Sequence, residues 1–264
     1  MAYADRESTI GRHDMHVAAR LVVIDYGTSI LNYVGMAGEG SRGTRAYRSS
    51  RREAQARDTR QRVLAAARLV FLSRGYGGST LRAIAAEAGV AVPTIEAAFG
   101  TKARVLKAAI DVAIAGDDEP VPMLDRLWAA DSARAQTVSE LLVIVAQVMG
   151  PSQARSAGLI LAAFEGSTVD PDLAELTGQL IAQRVGTATW LVDVIAAKAP
   201  LSRGLSREEA IDTLWVLMDP AVFDRLTRHR GWSEERYRRW FARSASQLLL
   251  ADPPPSIPTP IGGP

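Results

Sequence analysis

The stretch of sequence that most restricts the fold runs from residue 80 to residue 99. Its first half carries an apolar face with helical spacing, formed by Leu81, Ile84, Ala85 and Ala88. Thr80 is placed to cap this helix, and Gly89 follows its end, where a left-handed backbone favours glycine. Pro93 suits the first turn of a second helix, in which Ile95 and Phe99 lie one turn apart on the inner side. The pattern predicts two short helices joined by a tight turn, the helix-turn-helix arrangement.

Further helical patterns flank this pair on both sides. Asp58 and Gln61 have the spacing of a capping box, so we expect a helix from Asp58 to Arg74. Its apolar face is formed by Val63, Ala67, Val70 and Phe71. Thr101 is placed to cap another helix, whose inward residues are Val105, Leu106, Ala109 and Ile110. Since the second helix of such a motif enters the DNA major groove, the sequence predicts a DNA-binding head over residues 55–116.

At these positions the sequence resembles the TetR family of bacterial transcription regulators. The matching residues are Arg60, Val63, Ala66, Phe71, Arg74–Tyr76, Thr80, Ile84, Ala85, Ala88–Val90, Thr94, Ile95, Phe99–Lys102 and Leu106. The resemblance implies an all-α fold, with an N-terminal three-helix head that contains the helix-turn-helix and a C-terminal helical bundle. It also implies a homodimer that binds double-stranded operator DNA and releases it when a small-molecule effector binds. The effector itself is not identified by the sequence.

The second helix of the motif departs from the family pattern. Ala91 stands where the family usually has a capping Ser or Thr, a change that costs about 1 kcal/mol locally. Glu96 stands where the family usually has a phosphate-contacting Tyr, and Ala97 and Ala98 replace a second aromatic residue or His. The Glu96 carboxylate either accepts a hydrogen bond from cytosine in the groove or is repelled by the phosphates. The sequence leaves both readings open.

We expect exposed side chains of the head, and the arginines that precede it, to contact DNA. Lys102 lies in the first turn of its helix and is predicted to anchor a phosphate, together with the group from Arg57 to Arg62. The predicted DNA-binding residues are Arg57, Arg60, Thr80, Leu81, Arg82, Val92, Pro93, Thr94, Glu96, Ala97 and Lys102.

The two ends of the chain are predicted to be tails. Residues 1–54 are expected to form a disordered tail that ends in a basic arm, and residues 252–264 a disordered, proline-rich tail. The arginine-rich run 42–62 is either a solvated segment or an arm that contacts DNA phosphates. The first 35 residues are either a loosely ordered tail or lie upstream of a true translation start at Met36.

Residues 117–251 are predicted to form a helical domain for dimerisation and ligand binding. A polar, proline-containing break over 116–122 separates it from the head. Helices are expected over 123–130, 132–149, 153–165 and 171–198, with a stop at Gly150 and Pro151. Two more are expected to start at Ser206 and Ser233, and Asp219-Pro220 should interrupt the first of these.

Two groups of bulky residues in this domain suggest binding surfaces. The predicted ligand-binding residues, which could equally be ordinary core, are Trp128, Met149, Arg155, Phe164 and Trp190. The resemblance implies that the last two helices form the dimer interface, for which the candidates are Trp215, Met218, Trp240, Phe241 and Leu248.

Catalysis and cofactor binding find little support in the sequence. The chain has no cysteine and only three histidines, and it shows neither a glycine-rich phosphate loop nor a metal-ligand spacing. We therefore predict no enzyme activity, no cofactor and no metal. A signal peptide and a membrane span are also not recognised, so a cytoplasmic protein is expected. The alternative to a regulator is a helical ligand-binding or scaffolding dimer whose head has lost its sequence specificity.

Overall fold

The computed structural model describes residues 44–119 and 121–253. The predictions for residues 1–43 and 254–264 lie outside the described residues. Residues 50–264 form one compact unit. This unit contains the head and the body.

The described residues are mainly α-helical and contain no strands, which confirms the predicted all-α class. The helices are α1 (Thr44–Arg74), α2 (Leu81–Ala88), α3 (Val92–Phe99), α4 (Lys102–Ala115), α5 (Leu127–Arg134), α6 (Val138–Gly166), α7 (Pro171–Ala196), α8 (Arg207–Leu217), α9 (Pro220–Asp224) and α10 (Glu234–Leu249). A 3₁₀ turn covers Met123–Asp125, and a π-helical turn covers Arg225–His229.

The helix-turn-helix forms as the sequence predicts. The Thr80 hydroxyl accepts a hydrogen bond from the Ala83 amide at 3.1 Å, which caps α2. Gly89 ends α2 with φ of 65°, a left-handed conformation that glycine adopts at little cost. Ile84 and Ile95 are fully buried, so α2 and α3 are both fixed to the core of the head.

Helix α1 begins at Thr44, so the prediction that a capping box starts it at Asp58 is wrong. Asp58 lies inside the helix, where its carboxylate pairs with Arg62 one turn later at 3.3 Å. An aspartate at this position can either cap a helix or pair with a basic residue one turn later. Because the helix continues back to residue 44, Asp58 forms the ion pair. The predicted boundary between arm and head, at residue 54, therefore falls within a helix.

Helix α6 runs through Gly150 and Pro151, where the sequence predicts a break. A proline inside a helix costs about 3 kcal/mol, so packing must outweigh this local preference. The packing partner is α10, because a Cβ added to Gly150 would lie 2.5 Å from Cγ of Arg238. The close approach of α10 at this point keeps both halves of α6 in one helix.

The predicted helix over 123–130 is also corrected. Arg126 has an extended backbone that separates the 3₁₀ turn from α5. Its guanidinium donates to both carboxylate oxygens of Asp117, at 2.6 and 2.8 Å, and to the Val121 carbonyl. These bonds tie Arg126 to the linker, and they favour the extended conformation over a continuous helix.

The later helices begin where the sequence predicts. Asp170 caps α7, Ser206 and Glu209 form the expected capping box of α8, and Ser233 caps α10. Asp219 caps the short α9, which confirms the interruption at Pro220. Near the end of α10, Leu249 is buried, whereas Leu248 is 53% exposed.

The apolar core has two main parts. One joins the head to the second half of α6 and the first half of α7, through Leu159, Ile160, Leu173 and Leu176. The other lies among α6, α7, α8 and α10, around Leu141, Leu191, Leu214 and Phe241. Head and body thus share a core across the predicted boundary at residue 116. Among the described residues, no helix is long and apolar enough to cross a membrane.

Candidate nucleic-acid interface and ligand cavity

Helix α3 presents a small, exposed face. Ile95 and Phe99 hold it against the core, while the opposite positions are exposed: Pro93, Thr94, Glu96, Ala97 and Ala98. Val92, also predicted to contact DNA, is half-buried against the head core. The backbone of this face can approach another surface closely, because its two alanines are small and its one charge is the Glu96 carboxylate.

The N-terminus of α3 has no side-chain cap. Ala91 precedes the helix with an extended backbone and makes no capping hydrogen bond from its side chain, as the sequence predicts. On α2, Thr80 and Arg82 are exposed and Leu81 is half-buried. Thr80 caps α2, and Leu81 and Arg82 lie in its first turn.

Lys102, predicted to anchor a phosphate, is used inside the head. Its ammonium donates to the carbonyls of Tyr76 and Ser79, at 2.9 and 3.1 Å, and lies 3.8 Å from the centre of the Tyr76 ring. Partial burial lowers the pKa of Lys102. The side chain therefore closes the loop between α1 and α2, and only the remaining hydrogen of its ammonium is left for another acceptor.

The two arginines predicted to bind DNA from α1 have different surroundings. Arg60 lies 3.4 Å from the Asp118 carboxylate, and its guanidinium stacks 4.8 Å from the centre of the Phe99 ring. Arg60 therefore contacts both the last residue of α3 and the linker. Arg57 is exposed and is the better placed of the two for a phosphate.

The head is attached to the start of α7 through what we call the α7 joint, formed by Tyr76, Thr101, Asp170 and Asp172. The Tyr76 hydroxyl donates to the Asp170 carboxylate, and its ring stacks on Phe71 with centres 6.1 Å apart. Burial, followed by the bond to Asp170, raises the pKa of Tyr76. The Thr101 hydroxyl adds a longer contact of 3.4 Å to Asp172.

A second connection, the α6 joint, holds the C-terminal end of α4. Arg155 donates from Nε to the Ala113 carbonyl at 2.9 Å, and Ser152 donates to the Ile114 carbonyl at 2.9 Å. These carbonyls have lost their helical partners, and a cation suits this end of the helix dipole. Ser152 and Arg155 of α6 thus donate the hydrogen bonds that the backbone amides of a further turn of α4 would have donated.

A cavity of about 520 Å³ lies beside the α6 joint. It is bounded by the end of α4, the linker, the start of α5 and the middle of α6, and is lined by Ile114, Ala115, Glu119, Val121, Met123, Asp125, Arg126, Leu127, Trp128, Val148 and Arg155. Its walls are mainly apolar. Hydrogen bonds from Arg126 lower the pKa of the adjacent Asp117 to about 2.

Two of the five predicted ligand-binding residues, Trp128 and Arg155, line this cavity. Trp190 packs edge-on against Trp128, with ring centres 5.5 Å apart. Met149 packs into the body core and Phe164 against the head core. Sequence reasoning missed the linker as a wall. The available signal was the presence of an apolar residue, Val121, within the polar break 116–122, followed closely by Met123 and Leu127.

The predicted dimer residues are largely used within one chain. Met218 and Phe241 are buried in the body core. Trp215 lies under the Arg184 guanidinium, and Trp240 is half-buried against Tyr237 and Trp232. Leu248 is exposed.

Residues 63–109 match the sequence model of the tetR family of bacterial regulatory proteins. The match covers the second half of α1 through α4, which is the part that contains the exposed helix-turn-helix. In this segment the chain is similar to the tetR-family regulators. No curated protein sequence matches it.

Solved structures share the fold of this chain at low sequence identity. NalD from Pseudomonas aeruginosa, the secondary repressor of the MexAB-OprM multidrug efflux pump, is 18% identical with a TM-score of 0.57, over 75% of this chain and 99% of that one. FadR from Bacillus subtilis, solved with stearoyl-CoA, is 16% identical with a TM-score of 0.56, over 73% and 98%. A transcriptional regulator from Saccharomonospora viridis, solved with choline, is 20% identical with a TM-score of 0.54, over 72% and 97%.

Proposed function

We propose that this chain is a ligand-responsive transcriptional repressor that acts in the cytoplasm as a homodimer on an operator with two half-sites. The observation that carries the proposal is the geometry of α3. One side is fixed in the core by Ile95 and Phe99, and the other presents short side chains to solvent at the position of a recognition helix.

In this proposal the exposed face of α3 enters the major groove. Pro93, Thr94, Glu96 and Ala97 face the bases, and Arg57, Thr80 and Arg82 contact the phosphates. Lys102 acts on DNA binding mainly by holding the loop before α2 in place, as its two bonds to carbonyls support. A helix of eight residues reads few base pairs, so two heads are needed for a specific site.

The cavity beside the α6 joint is the proposed effector site. Its volume falls in the range of small-molecule sites, and its apolar lining suits a largely apolar organic molecule. Arg155 lines the cavity and also holds the end of α4, so a ligand that draws this side chain away frees that helix end. The ligand can shift the head only by its difference in affinity for the two positions.

The alternative is a helical ligand-binding or scaffolding dimer whose head no longer distinguishes sequences. The exposed Glu96 carboxylate, followed by two alanines, favours this alternative. Glu96→Gln separates the cases when each base pair of the operator is varied in turn. If Glu96 accepts from a cytosine, the variant relaxes the preference at one position in each half-site, by about 1–3 kcal/mol. If Glu96 only repels phosphates, the variant tightens binding to all sequences alike.

The test of the proposed function is binding to the DNA that flanks the gene of this protein. We expect a salt-dependent complex that survives an excess of unrelated competitor DNA. A footprint should show two protected half-sites on one face of the duplex. Complete loss of the complex to competitor DNA would reject the specific repressor and favour the alternative.

A further inference from the structure

The wall of the cavity beside the α6 joint contains a guanidinium without a carboxylate partner. Arg155 is half-buried there, and none of the described residues brings a carboxylate within ion-pair distance of it. Its guanidinium donates to two neutral acceptors, from Nε to the Ala113 carbonyl at 2.9 Å and from Nη2 to the Ile114 carbonyl at 3.4 Å. The second bond is longer than is usual for an N–H donor. Among the described residues, Nη1 has no acceptor.

The acids around the cavity do not pair with Arg155. Both oxygens of Asp117 accept from Arg126, at 2.6 and 2.8 Å, and one of them also accepts from the Glu119 amide at 3.0 Å. The two acids that line the cavity, Glu119 and Asp125, are exposed, so water solvates their charge. A partly buried cation normally has an anionic partner, and for Arg155 that place is open.

The end of α4 is shaped to hold this guanidinium. Gly116 follows the helix with φ of 89°, and a Cβ added to it would lie 2.9 Å from Nη2 and 3.2 Å from Cζ of Arg155. Any other residue at this position would be strained by the left-handed backbone and would push against the guanidinium. Glycine therefore allows Arg155 to lie against the end of α4, on the wall of the cavity.

The remainder of the wall is mainly apolar. The linker contributes Val121, α5 contributes Leu127 and Trp128, and α6 contributes Val148. Leu127 is 81% exposed and Val121 is 42% exposed. A ligand that covers these two side chains removes apolar surface from water, which favours binding.

We propose that the effector of this chain is an amphipathic carboxylate, whose anionic group pairs with Arg155 and whose apolar part lies between the linker and α6. The inference rests on the proposed ligand-responsive function and names the chemical class of the ligand. A carboxylate matches the planar fork of a guanidinium and can accept two parallel hydrogen bonds from it.

The charge of the ligand also decides whether it can act on the head. Hydrogen bonds from a guanidinium to a carboxylate are stronger than those to the neutral carbonyls of Ala113 and Ile114. An anion can therefore draw Arg155 away from the end of α4, whereas a neutral ligand of the same shape has no such advantage. The same side chain thus binds the ligand and holds the helix end that the ligand is proposed to release.

Three probes with the same decyl chain test the class of ligand: decanoate, 1-decanol and decyltrimethylammonium. We expect isothermal titration calorimetry on the full chain to show that decanoate binds roughly tenfold more tightly than 1-decanol, because its head group is a charged acceptor. Decyltrimethylammonium should bind no more tightly than 1-decanol. Equal affinities for decanoate and 1-decanol, tightest binding of the ammonium compound, or no binding of any probe would each overturn the proposal.

Substitutions of Arg155 test the anchor. Arg155→Met should lower the affinity for decanoate by roughly tenfold and leave that for 1-decanol unchanged. Arg155→Lys keeps the charge but loses the fork, so its affinity for decanoate should lie between those of Arg155→Met and the wild-type chain. Arg134→Met removes an exposed arginine of α5 and should change neither affinity. Wild-type affinity for decanoate in both Arg155 variants would overturn the proposal.

Neither measurement uses DNA, so the outcome is separable from that of the promoter assay. Binding of decanoate that depends on Arg155, together with loss of the promoter complex to competitor DNA, would support the ligand class and reject the repressor. A specific promoter complex without any preference for decanoate would support the repressor and reject an amphipathic carboxylate as its effector.

Discussion

The two joints between head and body differ in the kind of contact that forms them. The α7 joint is a packed contact between side chains, in which the Tyr76 ring is buried and its hydroxyl reaches Asp170. The α6 joint consists of two polar side chains that donate to carbonyls at the end of α4. A cavity adjoins the second joint through Arg155. From this difference we infer that the α7 joint fixes the head to the body, and that the α6 joint is the contact that a bound ligand changes.

The largest expected effect is on the α7 joint. Tyr76→Ala removes a buried ring that stacks on Phe71 and lies beneath the Lys102 ammonium. We expect a loss of about 3–5 kcal/mol in the free energy of unfolding, measured by urea denaturation.

Tyr76→Phe is the matched control, because it keeps the ring and removes only the bond to Asp170. Its cost should be about 1.5–3 kcal/mol, the range for a hydrogen bond to a charged group. Equal and small losses for both variants would contradict the role of the α7 joint as the firm attachment.

A smaller effect is expected at the α6 joint. Arg155→Met removes the cation that holds the Ala113 carbonyl, and we expect a loss of about 1–2 kcal/mol. Hydrogen exchange should rise at the end of α4 and stay unchanged at residues 76–80. Arg134→Met, which removes an exposed arginine of α5, is the control and should change neither. A uniform rise in exchange over the whole head would show that the two joints do not act separately.

The smallest effect concerns pH and the linker beside the cavity. The pKa of Asp117 is lowered to about 2, first by hydrogen bonds from Arg126 and then by the Glu119 amide. Because the folded value lies below the unfolded value of about 3.9, this contribution to stability is present above pH ~4 and is lost as the pH falls toward 2. Asp117→Asn should therefore flatten the dependence of stability on pH in this window. An unchanged slope would show that the pair with Arg126 does not persist in solution.

The helix-turn-helix could be predicted closely because its signals are local. The caps at Thr80 and Thr101 and the left-handed turn at Gly89 depend on neighbours within a few residues. The buried sides of α2 and α3 follow from the spacing of residues such as Ile84 and Ile95. Sequence alone thus predicted which face of α3 is exposed.

Features that depend on distant partners could not be predicted in this way. The continuity of α6 through Pro151 depends on the approach of α10 at Gly150. The Lys102 side chain points into the head because its ammonium donates to carbonyls of the loop before α2. The cavity depends on how the linker folds over α6, which no periodic pattern records.

The central claim, that the exposed face of α3 reads DNA, is tested most directly with Ala97→Asp. This change adds a carboxylate to that face without touching the core, and Ala133→Asp adds the same charge at an exposed position of α5. Affinity for the promoter fragment should fall by roughly tenfold or more for Ala97→Asp, because the added charge faces phosphates and bases, and should be unchanged for Ala133→Asp. Both variants should melt as the wild-type chain does. Equal promoter affinity for Ala97→Asp and the wild-type chain would contradict the assignment of α3 as the recognition helix.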